Sequence, residues 1–218
     1  MHPAPFPSTA SRIPPASLSF DDGPGPSTPA LLDVLHTASC RATFFLLGKN
    51  LERAMEMAAR MVREGHVLGN HTYSHARPGA LSGEELIDEI EATDALIRNA
   101  CRLAGFPEPD TIPLRLPYGL GAYDNRERVL ARLGRRHTGW TALFDDWRRP
   151  APSPQALFEA MRKHVAAGAA QGQPVLLCLH DSSRHAEAHP ATVDAVQRLL
   201  NDPDCRVGLL AAGRNARP

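Results

Sequence analysis

Two short segments of the sequence carry side chains that could together bind a metal ion. HTYSH places His71 and His75 four positions apart, and FDDGP contains the acidic pair Asp21 and Asp22. Positions i and i+4 of a helical turn share one face, so both imidazoles can converge on one ion if the segment is helical. A hydrolytic metal site takes about three protein ligands and keeps an open position for water. Two imidazoles and one carboxylate would provide that set.

The acidic pair ends a predicted strand. Residues 17–21 alternate polar and apolar side chains before a Gly-Pro turn, a pattern that is typical of a short strand. Adjacent strand residues point to opposite sides, so we expect Asp21 and Asp22 to differ in role, one binding metal and one transferring protons. Each motif alone is weak, because the chain has 10 histidines and an Asp-Asp-Gly-Pro run is usually a solvated turn.

Three further motifs strengthen the prediction. RLPYG (115–119), DDW (145–147) and LCLHD (177–181) follow HTYSH in this order. With these five motifs, and with ATFFLLGKN at 42–50, the chain resembles the polysaccharide deacetylase family, the carbohydrate esterases with a NodB-like homology domain. The resemblance implies an α/β fold, a distorted (β/α)7 barrel in a single domain. It also implies metal-dependent removal of N-acetyl or O-acetyl groups from a glycan such as an N-acetylglucosamine polymer, oligomer or surface polysaccharide precursor.

The resemblance assigns the metal ligands and the general base. Asp22, His71 and His75 are the expected ligands of a divalent ion, zinc in first place, with Co²⁺, Mn²⁺, Fe²⁺ or Ni²⁺ as alternatives. Asp21 is the expected base, which takes a proton from the attacking water. Arg115 is expected to pair with Asp21, and its planar guanidinium matches the geometry of a carboxylate.

The expected general acid is His180, in the fifth motif. A histidine that is charged near neutral pH needs a raised pKa, and a neighbouring carboxylate raises it. By resemblance this carboxylate is Asp146, which directly precedes Trp147, while the adjacent Asp145 stays an alternative.

The substrate's acetyl group is expected to meet one backbone donor and two apolar walls. By resemblance, the backbone N–H of Tyr118 donates to the developing oxyanion. Trp147 and Leu179 are the expected walls of a pocket for the acetyl methyl group. The histidines outside the motifs are read as structural or solvent-facing, although His185 and His189 follow the fifth motif closely enough to reach the same rim.

Length and composition restrict the class of protein. The 218 residues fit one domain, and 24 basic against 24 acidic residues leave no net field to attract nucleic acid or an anionic membrane. The four cysteines are widely scattered and are predicted to be reduced fillers, with Cys178 as a small buried hydrophobe. Disulfides are the alternative if the protein is exported. No stretch approaches the roughly 20 apolar residues that span a bilayer. By resemblance to the family, the expected partner is an acetylated glycan, with no nucleic acid and no membrane span, and the oligomeric state is not assigned.

The first residues differ in character from the rest of the chain. The opening MHPAPFPSTASRIPPAS is rich in proline and lacks the apolar core of a secretory signal. We therefore predict a flexible arm over residues 1–16 and a catalytic domain over 17–218. The expected location is cytoplasmic by default, or exported or periplasmic if the natural gene has an upstream signal.

Short apolar runs alternate with helical patterns after this arm, as in a parallel sheet or barrel. Ser27 is a predicted helix cap, and Ser82 with Glu85 predicts a capping box for a helix that ends near Gly105. All five motifs then follow strand ends, and in a parallel barrel such ends meet at one rim. Strands are predicted near 17–21, 41–47, 65–69, 112–116, 137–142, 174–179 and 206–211. Helices are predicted from Ser27 and Ser82 onward and near 51–64, 125–133, 154–168 and 190–200.

Two other functions fit parts of this pattern. A related fold could act on a different amide, as a deformylase or amidase of a small substrate. A non-catalytic glycan-binding module could also descend from an enzyme, but it would be expected to lose at least one residue of the metal and acid–base set. The sequence retains all of them, which favours an enzyme.

Overall fold

The computed structural model describes residues 16–206 and 208–209. Their five strands form one parallel sheet in the order β3-β2-β1-β5-β4. Helices connect the strands, which confirms the predicted α/β class. The strands are β1 (Ala16–Asp21), β2 (Thr43–Leu46), β3 (Val67–Asn70), β4 (Ala142–Leu143) and β5 (Val175–His180).

Two of the predicted strands are reduced to single bridges. Leu114 forms isolated parallel bridges with Asn70 of β3 and with His137. Farther along the same segment, the Thr141 N–H donates to the Leu176 carbonyl of β5 over 2.9 Å. Hydrogen bonds therefore lead from β3, through these two segments, to the opposite side of the sheet at β5.

The helices cover the sheet and follow the predicted pattern, except that one predicted helix is divided into two. The prediction for 51–64 was a single helix, and the structure has a short helix that ends at Leu51 and a second that begins at Met55. The helices are α1 (Thr28–Thr37), α2 (Gly48–Leu51), α3 (Met55–Arg63), α4 (Gly83–Ala104), α5 (Arg126–Arg132), α6 (Pro154–Gln171) and α7 (Pro190–Asn201).

Two predicted helix starts turn out differently. Ser82 and Glu85 form the predicted capping box of α4, and Gly105 ends this helix in the left-handed conformation with a φ of 82°. Ser27 precedes α1 but makes no capping hydrogen bond. Ser27 thus occupies the predicted N-cap position, but its Oγ accepts the backbone N–H of His189 over 2.7 Å and does not cap the helix.

The predicted last strand, 206–211, is wrong where the structure describes it. Residues 203–206 and 208–209 are helical, while 207 and 210–211 lie outside the described residues. Asp202 explains the start of this turn, because its Oδ1 accepts the N–H groups of Asp204 and Cys205 at 3.0 and 3.1 Å. A short apolar run does not distinguish strand from helix, and this local cap favours the helix.

The core forms where the sheet packs against the helices. It contains Leu18 and Phe20 of β1, Phe44 of β2, and Leu177 and Leu179 of β5. All four cysteines are free, as predicted, and all four are buried, as was predicted for Cys178. Among the residues described, no helix combines the length and the apolar character that crossing a bilayer requires. Residues 1–15, most of the predicted N-terminal arm, lie outside the description.

Two strands end at residues of the predicted motifs, and a third ends immediately before one. Asp21 is the last residue of β1 and His180 the last of β5, and the two are direct partners in the parallel register. β3 ends at Asn70, immediately before His71. Because carboxyl ends of parallel strands meet at one edge, the fold brings the base, acid and metal-binding candidates to the same rim.

Candidate active site

Asp22, His71 and His75 converge at this rim. Asp22 Oδ1 lies 3.5 Å from His71 Nε2 and 3.3 Å from His75 Nε2. One ligand atom from each residue lies within 4.8 Å of the other two, so the three side chains could hold one metal ion. The predicted set is therefore brought together from two strand ends.

The HTYSH segment is not helical, which corrects the geometry expected from the sequence. Thr72 and His75 have positive φ angles, 63° and 61°, and turn the chain sharply. One neighbouring and one distant side chain fix these turns. Asn70 Oδ1 accepts the Thr72 N–H at 2.8 Å, and the Glu89 carboxylate accepts the N–H of Ser74 at 3.1 Å. The two imidazoles thus meet through a looped backbone and not through a helical turn.

Both imidazoles are held in the neutral form that binds metals. The carbonyl oxygen of Arg115 lies 2.7 Å from His71 Nδ1, so Nδ1 carries the proton and the lone pair of Nε2 is available to a metal ion. Burial lowers the pKa of His71 to about 4 and that of His75 to about 3. At neutral pH neither ring carries a charge.

Asp22 lies in a setting that favours a bound cation. Burial, reinforced by the carboxylates of Asp21 and Asp181, raises the pKa of Asp22 to about 7. Its Oδ1 accepts no hydrogen bond from the described residues. A positive ion between Asp22 and the imidazoles would offset the cost of burying this carboxylate. The donor set of one oxygen and two neutral nitrogens fits a divalent ion such as zinc.

Asp21 and Arg115 form a buried ion pair below these ligands. Arg115 Nη1 donates to Asp21 Oδ1 over 2.7 Å, and the guanidinium is fixed by the carbonyls of Thr138 and Gly139. Burial alone would raise the pKa of Asp21, but His71 and Arg115 bring it below its usual value. Asp21 is therefore ionised at neutral pH and held in one orientation.

His180 is paired with Asp146, not with Asp145. Asp146 Oδ1 lies 2.8 Å from His180 Nδ1, and its Oδ2 accepts the backbone N–H of His180 at 2.8 Å. The hydroxyl of Thr192 also donates to Oδ2, over 2.9 Å. Burial would lower the pKa of His180, but Asp146 raises it to about 9. Asp145 is exposed and pairs with Arg148 at 3.2 Å.

A cleft of about 480 Å³ opens above these groups. Tyr118 and Trp147 form part of its wall and are about half exposed. The Tyr118 ring lies 4.8 Å from the His75 ring, centroid to centroid. The structure therefore places both of these predicted residues beside the metal-binding candidates.

Leu179 does not line the cleft, contrary to the prediction. Its side chain is fully buried in the core beside Phe20. Cys178 and His180 face the cleft instead. Successive strand residues point to opposite sides, so a strand that presents His180 to the cleft must turn Leu179 away.

Other residues near the site carried no motif signal in the sequence. Thr192 lies beyond the fifth motif, and the His189 ring is buried 6.3 Å from the His180 ring. No motif pattern identifies Thr192, whereas the position of His189 just beyond the fifth motif indicates that it could reach the rim. The alternation of β5, by contrast, could have identified Cys178, whose thiol donates to Asp21 Oδ2 at 3.4 Å. The cleft also includes Leu116, Gly119, Trp140, Leu143, Ser183, Arg184, His185 and Glu187.

A family model and two similar proteins agree on the family that this chain resembles. A family model described as "Polysaccharide deacetylase" matches residues 10–137. The chain is 34% identical over 184 residues to the chitooligosaccharide deacetylase of Bradyrhizobium sp. (strain ANU 289), covering 83% of this chain and 76% of that protein. It is 31% identical over 187 residues to a peptidoglycan-N-acetylglucosamine deacetylase of Bacillus cereus, covering 85% of this chain and 64% of that protein.

A solved structure shows the same fold over almost the whole chain. The family 4 carbohydrate esterase from Streptomyces lividans in complex with acetate aligns with a TM-score of 0.68 and 26% identity. The alignment covers 92% of this chain and 90% of the esterase. The predicted fold class, the distorted (β/α)7 barrel, is confirmed by this likeness.

Proposed function

Because the chain belongs to the polysaccharide deacetylase family, we propose that it hydrolyses the N-acetyl groups of N-acetylglucosamine residues in a chitin- or peptidoglycan-type glycan. A zinc ion held by Asp22, His71 and His75 is part of this proposal. The convergence of these three side chains, beside two separate acid–base pairs, is the observation that carries it. The substrate class comes from the relatives, which are named as deacetylases of chitooligosaccharides and of peptidoglycan N-acetylglucosamine.

The three proposed ligands are suited to hold the ion throughout the reaction. Bound there, a divalent ion would polarise the acetyl carbonyl and lower the pKa of a water molecule from ~15.7 toward ~7. His71 and His75 remain neutral at working pH because burial lowers their pKa values. The carbonyl of Arg115 fixes the orientation of His71, as partners behind metal ligands commonly do.

Asp21 is the proposed general base. Its carboxylate is ionised at neutral pH and accepts a proton from the water that attacks the acetyl carbon. Arg115 holds Oδ1, so proton transfer falls to Oδ2, which lies 3.8 Å from His71 Nε2. The base therefore faces the proposed metal site.

His180 is the proposed general acid. The C–N bond breaks efficiently only when the departing nitrogen receives a proton, since an amide anion is a poor leaving group. Asp146 keeps His180 protonated at neutral pH by raising its pKa to about 9. Because Nδ1 is bound to Asp146, the proton that is delivered to the substrate comes from Nε2.

Tyr118 and Trp147 are proposed to contact the acetyl group. The backbone N–H of Tyr118 would donate to the oxygen that becomes negative as water adds, which stabilises the transition state. Trp147 forms an apolar wall of the cleft and would restrict the length of the acyl group.

The proposal is tested by measuring which acid and which sugar the protein releases. Zinc-loaded protein is incubated with N-acetylated chito-oligosaccharides and, separately, with peptidoglycan fragments, O-acetylated xylan and N-formylated sugars. Acetate from the N-acetylated glycans is expected. Formate release alone would identify a deformylase, and glycan binding without any turnover would identify a non-catalytic module; either result overturns the proposal.

A further inference from the structure

The segment ATFFLLGKN (42–50) takes no part in the chemistry proposed above. It contains β2 and the first three residues of the short helix α2. Asn50, in α2, is a polar residue with only 4% of its surface exposed. A buried amide is normally hydrogen-bonded, so its partners indicate which parts of the fold it holds together.

α2 binds the segment that carries the two proposed histidine ligands. The backbone N–H of Gly48 donates to the Thr72 carbonyl over 3.0 Å, and that of Lys49 to the Tyr73 carbonyl over 3.2 Å. Lys49 Nζ also donates to the Ser74 carbonyl, over 3.2 Å. The first N–H groups of a helix have no partner within the helix, and here the histidine segment supplies these partners. Three consecutive carbonyls of this segment are thus fixed from α2.

Asn50 binds the segment that carries the proposed carboxylate ligand. Its Nδ2 donates to the backbone carbonyl of Asp22 over 2.7 Å and to that of Ser183, beyond β5, over 3.3 Å. A side-chain amide nitrogen has two hydrogens, so both are used. The N–H of Leu47 donates to the Gly23 carbonyl over 3.1 Å. One turn of helix and the residue before it therefore tie together the segments that follow β1, β3 and β5.

The backbone of Asp22 requires such support. Its φ is 71°, in the left-handed region that residues with a side chain rarely adopt. A conformation of this kind persists where surrounding contacts enforce it. Asn50 holds the carbonyl of the same residue whose Oδ1 lies 3.3 Å from His75 Nε2. If this carbonyl moved, the carboxylate would move relative to the imidazoles.

We propose that Asn50 is a positioning residue that fixes Asp22 against the two imidazoles and so sets the affinity of the site for its ion. The inference rests on the proposed function, which includes zinc bound by these three ligands. Asn50 supplies no ligand atom and acts through the backbone of Asp22. Partners that orient metal ligands commonly account for about 10- to 100-fold in metal affinity.

The test removes the amide and keeps all three proposed ligands. Asn50→Ala deletes both hydrogen bonds, and Asn50→Ser is a smaller change for use if Asn50→Ala does not fold. Asn99→Ala, on the exposed face of α4, is the matched surface control. Val165→Ala, in the core on α6, is a control that lowers stability but keeps the Asn50 hydrogen bonds.

Three properties are measured for each protein. The zinc Kd is determined by competition with a chelator, and the stability of the zinc-free protein by denaturant unfolding. The absorption spectrum of the Co²⁺-loaded protein reports the geometry of the ligands around the ion. None of these measurements requires turnover.

The expected results separate positioning from general stability. The zinc Kd of Asn99→Ala and Val165→Ala should agree with the wild type within about twofold, although Val165→Ala unfolds at lower denaturant. In Asn50→Ala the Kd should rise by about tenfold to 100-fold, with an altered Co²⁺ spectrum. Asn50→Ser should also bind zinc more weakly than the wild type. A wild-type Kd in either folded Asn50 variant, or an equal loss of affinity in Val165→Ala, would overturn the proposal.

Acetate release from N-acetylated chito-oligosaccharides by the same zinc-saturated proteins distinguishes this inference from the proposed function. If Asn50→Ala binds zinc more weakly but no protein releases acetate, the function fails and the positioning role stands. If the wild type binds zinc and releases acetate while the Kd of Asn50→Ala is unchanged, the function stands and the positioning role fails. A wild type that binds no zinc would overturn both.

Discussion

The Nη1 atom of Arg115 lies 2.7 Å from the Oδ1 atom of Asp21, and both side chains are buried. The guanidinium also stacks over the Phe45 ring, 4.0 Å from its centroid, and contacts Ser19 and Cys178. A side chain with so many partners cannot reorient, so it fixes the carboxylate that it holds. The buried contacts of Arg115 thus fix the orientation of Asp21, the proposed general base.

Replacing Arg115 should damage both stability and catalysis. Arg115→Met leaves the Asp21 carboxylate buried without its partner, which should lower the free energy of unfolding by about 3–5 kcal/mol. Loss of orientation should lower kcat by about 100-fold. Denaturant unfolding and acetate-release kinetics measure the two effects. Arg132→Met is the control, because Arg132 pairs with Glu84 on the exposed surface and should cost less than about 1 kcal/mol. An Arg115→Met protein as stable as this control would contradict the buried-pair account.

Removing the carboxylate of Asp146 should shift the pH dependence of the reaction. The proposed acid His180 is active while protonated, so activity should fall as the pH rises through its pKa of about 9. In Asp146→Asn the effect of burial prevails and the pKa of His180 falls. The alkaline limb of the kcat profile should therefore move to a pH that is lower by at least about one unit. Asp145→Asn should leave the limb in place, since Asp145 pairs with Arg148. Equal profiles for the two variants would be incompatible with Asp146 as the partner.

Thr192 should act on catalysis through Asp146. Thr192→Val keeps the shape of the side chain but removes the hydroxyl that donates to Asp146 Oδ2. A hydrogen bond to a charged group contributes about 1.5–3 kcal/mol, so kcat should fall by about tenfold to 100-fold with KM unchanged. Thr192→Ser restores the donor and should restore most of kcat. A decrease of the same size in Thr192→Ser would show that packing, and not the hydrogen bond, is what matters.

Zinc affinity should depend on pH in a way that identifies Asp22. Its pKa of about 7 means that protons compete with the metal below neutral pH, whereas His71 and His75 stay neutral down to about pH 4. Affinity should therefore fall by about tenfold per unit below pH 7, with about one proton released per zinc bound at pH 6. Zinc titration calorimetry in buffers of different ionisation enthalpy counts these protons. Release of two protons at pH 6 would mean that a histidine, too, must deprotonate.

The order of the motifs predicted which side chains lie together at the rim, Leu179 excepted, because strand ends in a parallel barrel meet at one edge. Asp21 and His180 are register partners, and the apolar runs that precede them predicted β1 and β5 correctly. Cross-strand register itself is not visible in one sequence. Register follows from pairing with strands that are distant in the sequence. The contacts of Arg115 with Asp21 and of Asp146 with His180 were therefore predicted from the family resemblance and not from residue spacing.

The errors have local physical causes. The spacing of His71 and His75 fits a helical turn, but Asn70 and Glu89 bind the backbone between them and select left-handed turns. Leu179 was misplaced although strand alternation with His180 was available as a signal. Thr192 could not be found, because its role depends on how α7 packs against the turn that carries Asp146.

The most direct test of the account is metal content measured together with acetate release. Purified wild type and His71→Ala, with His36→Ala as an exposed histidine control on α1, are loaded with zinc, desalted and analysed for bound metal. We expect about one ion per chain and full acetate release from N-acetylated chito-oligosaccharides in the wild type and His36→Ala, and neither in His71→Ala. A folded His71→Ala protein that keeps one ion per chain, or that releases acetate at the wild-type rate, would contradict the proposed metal site.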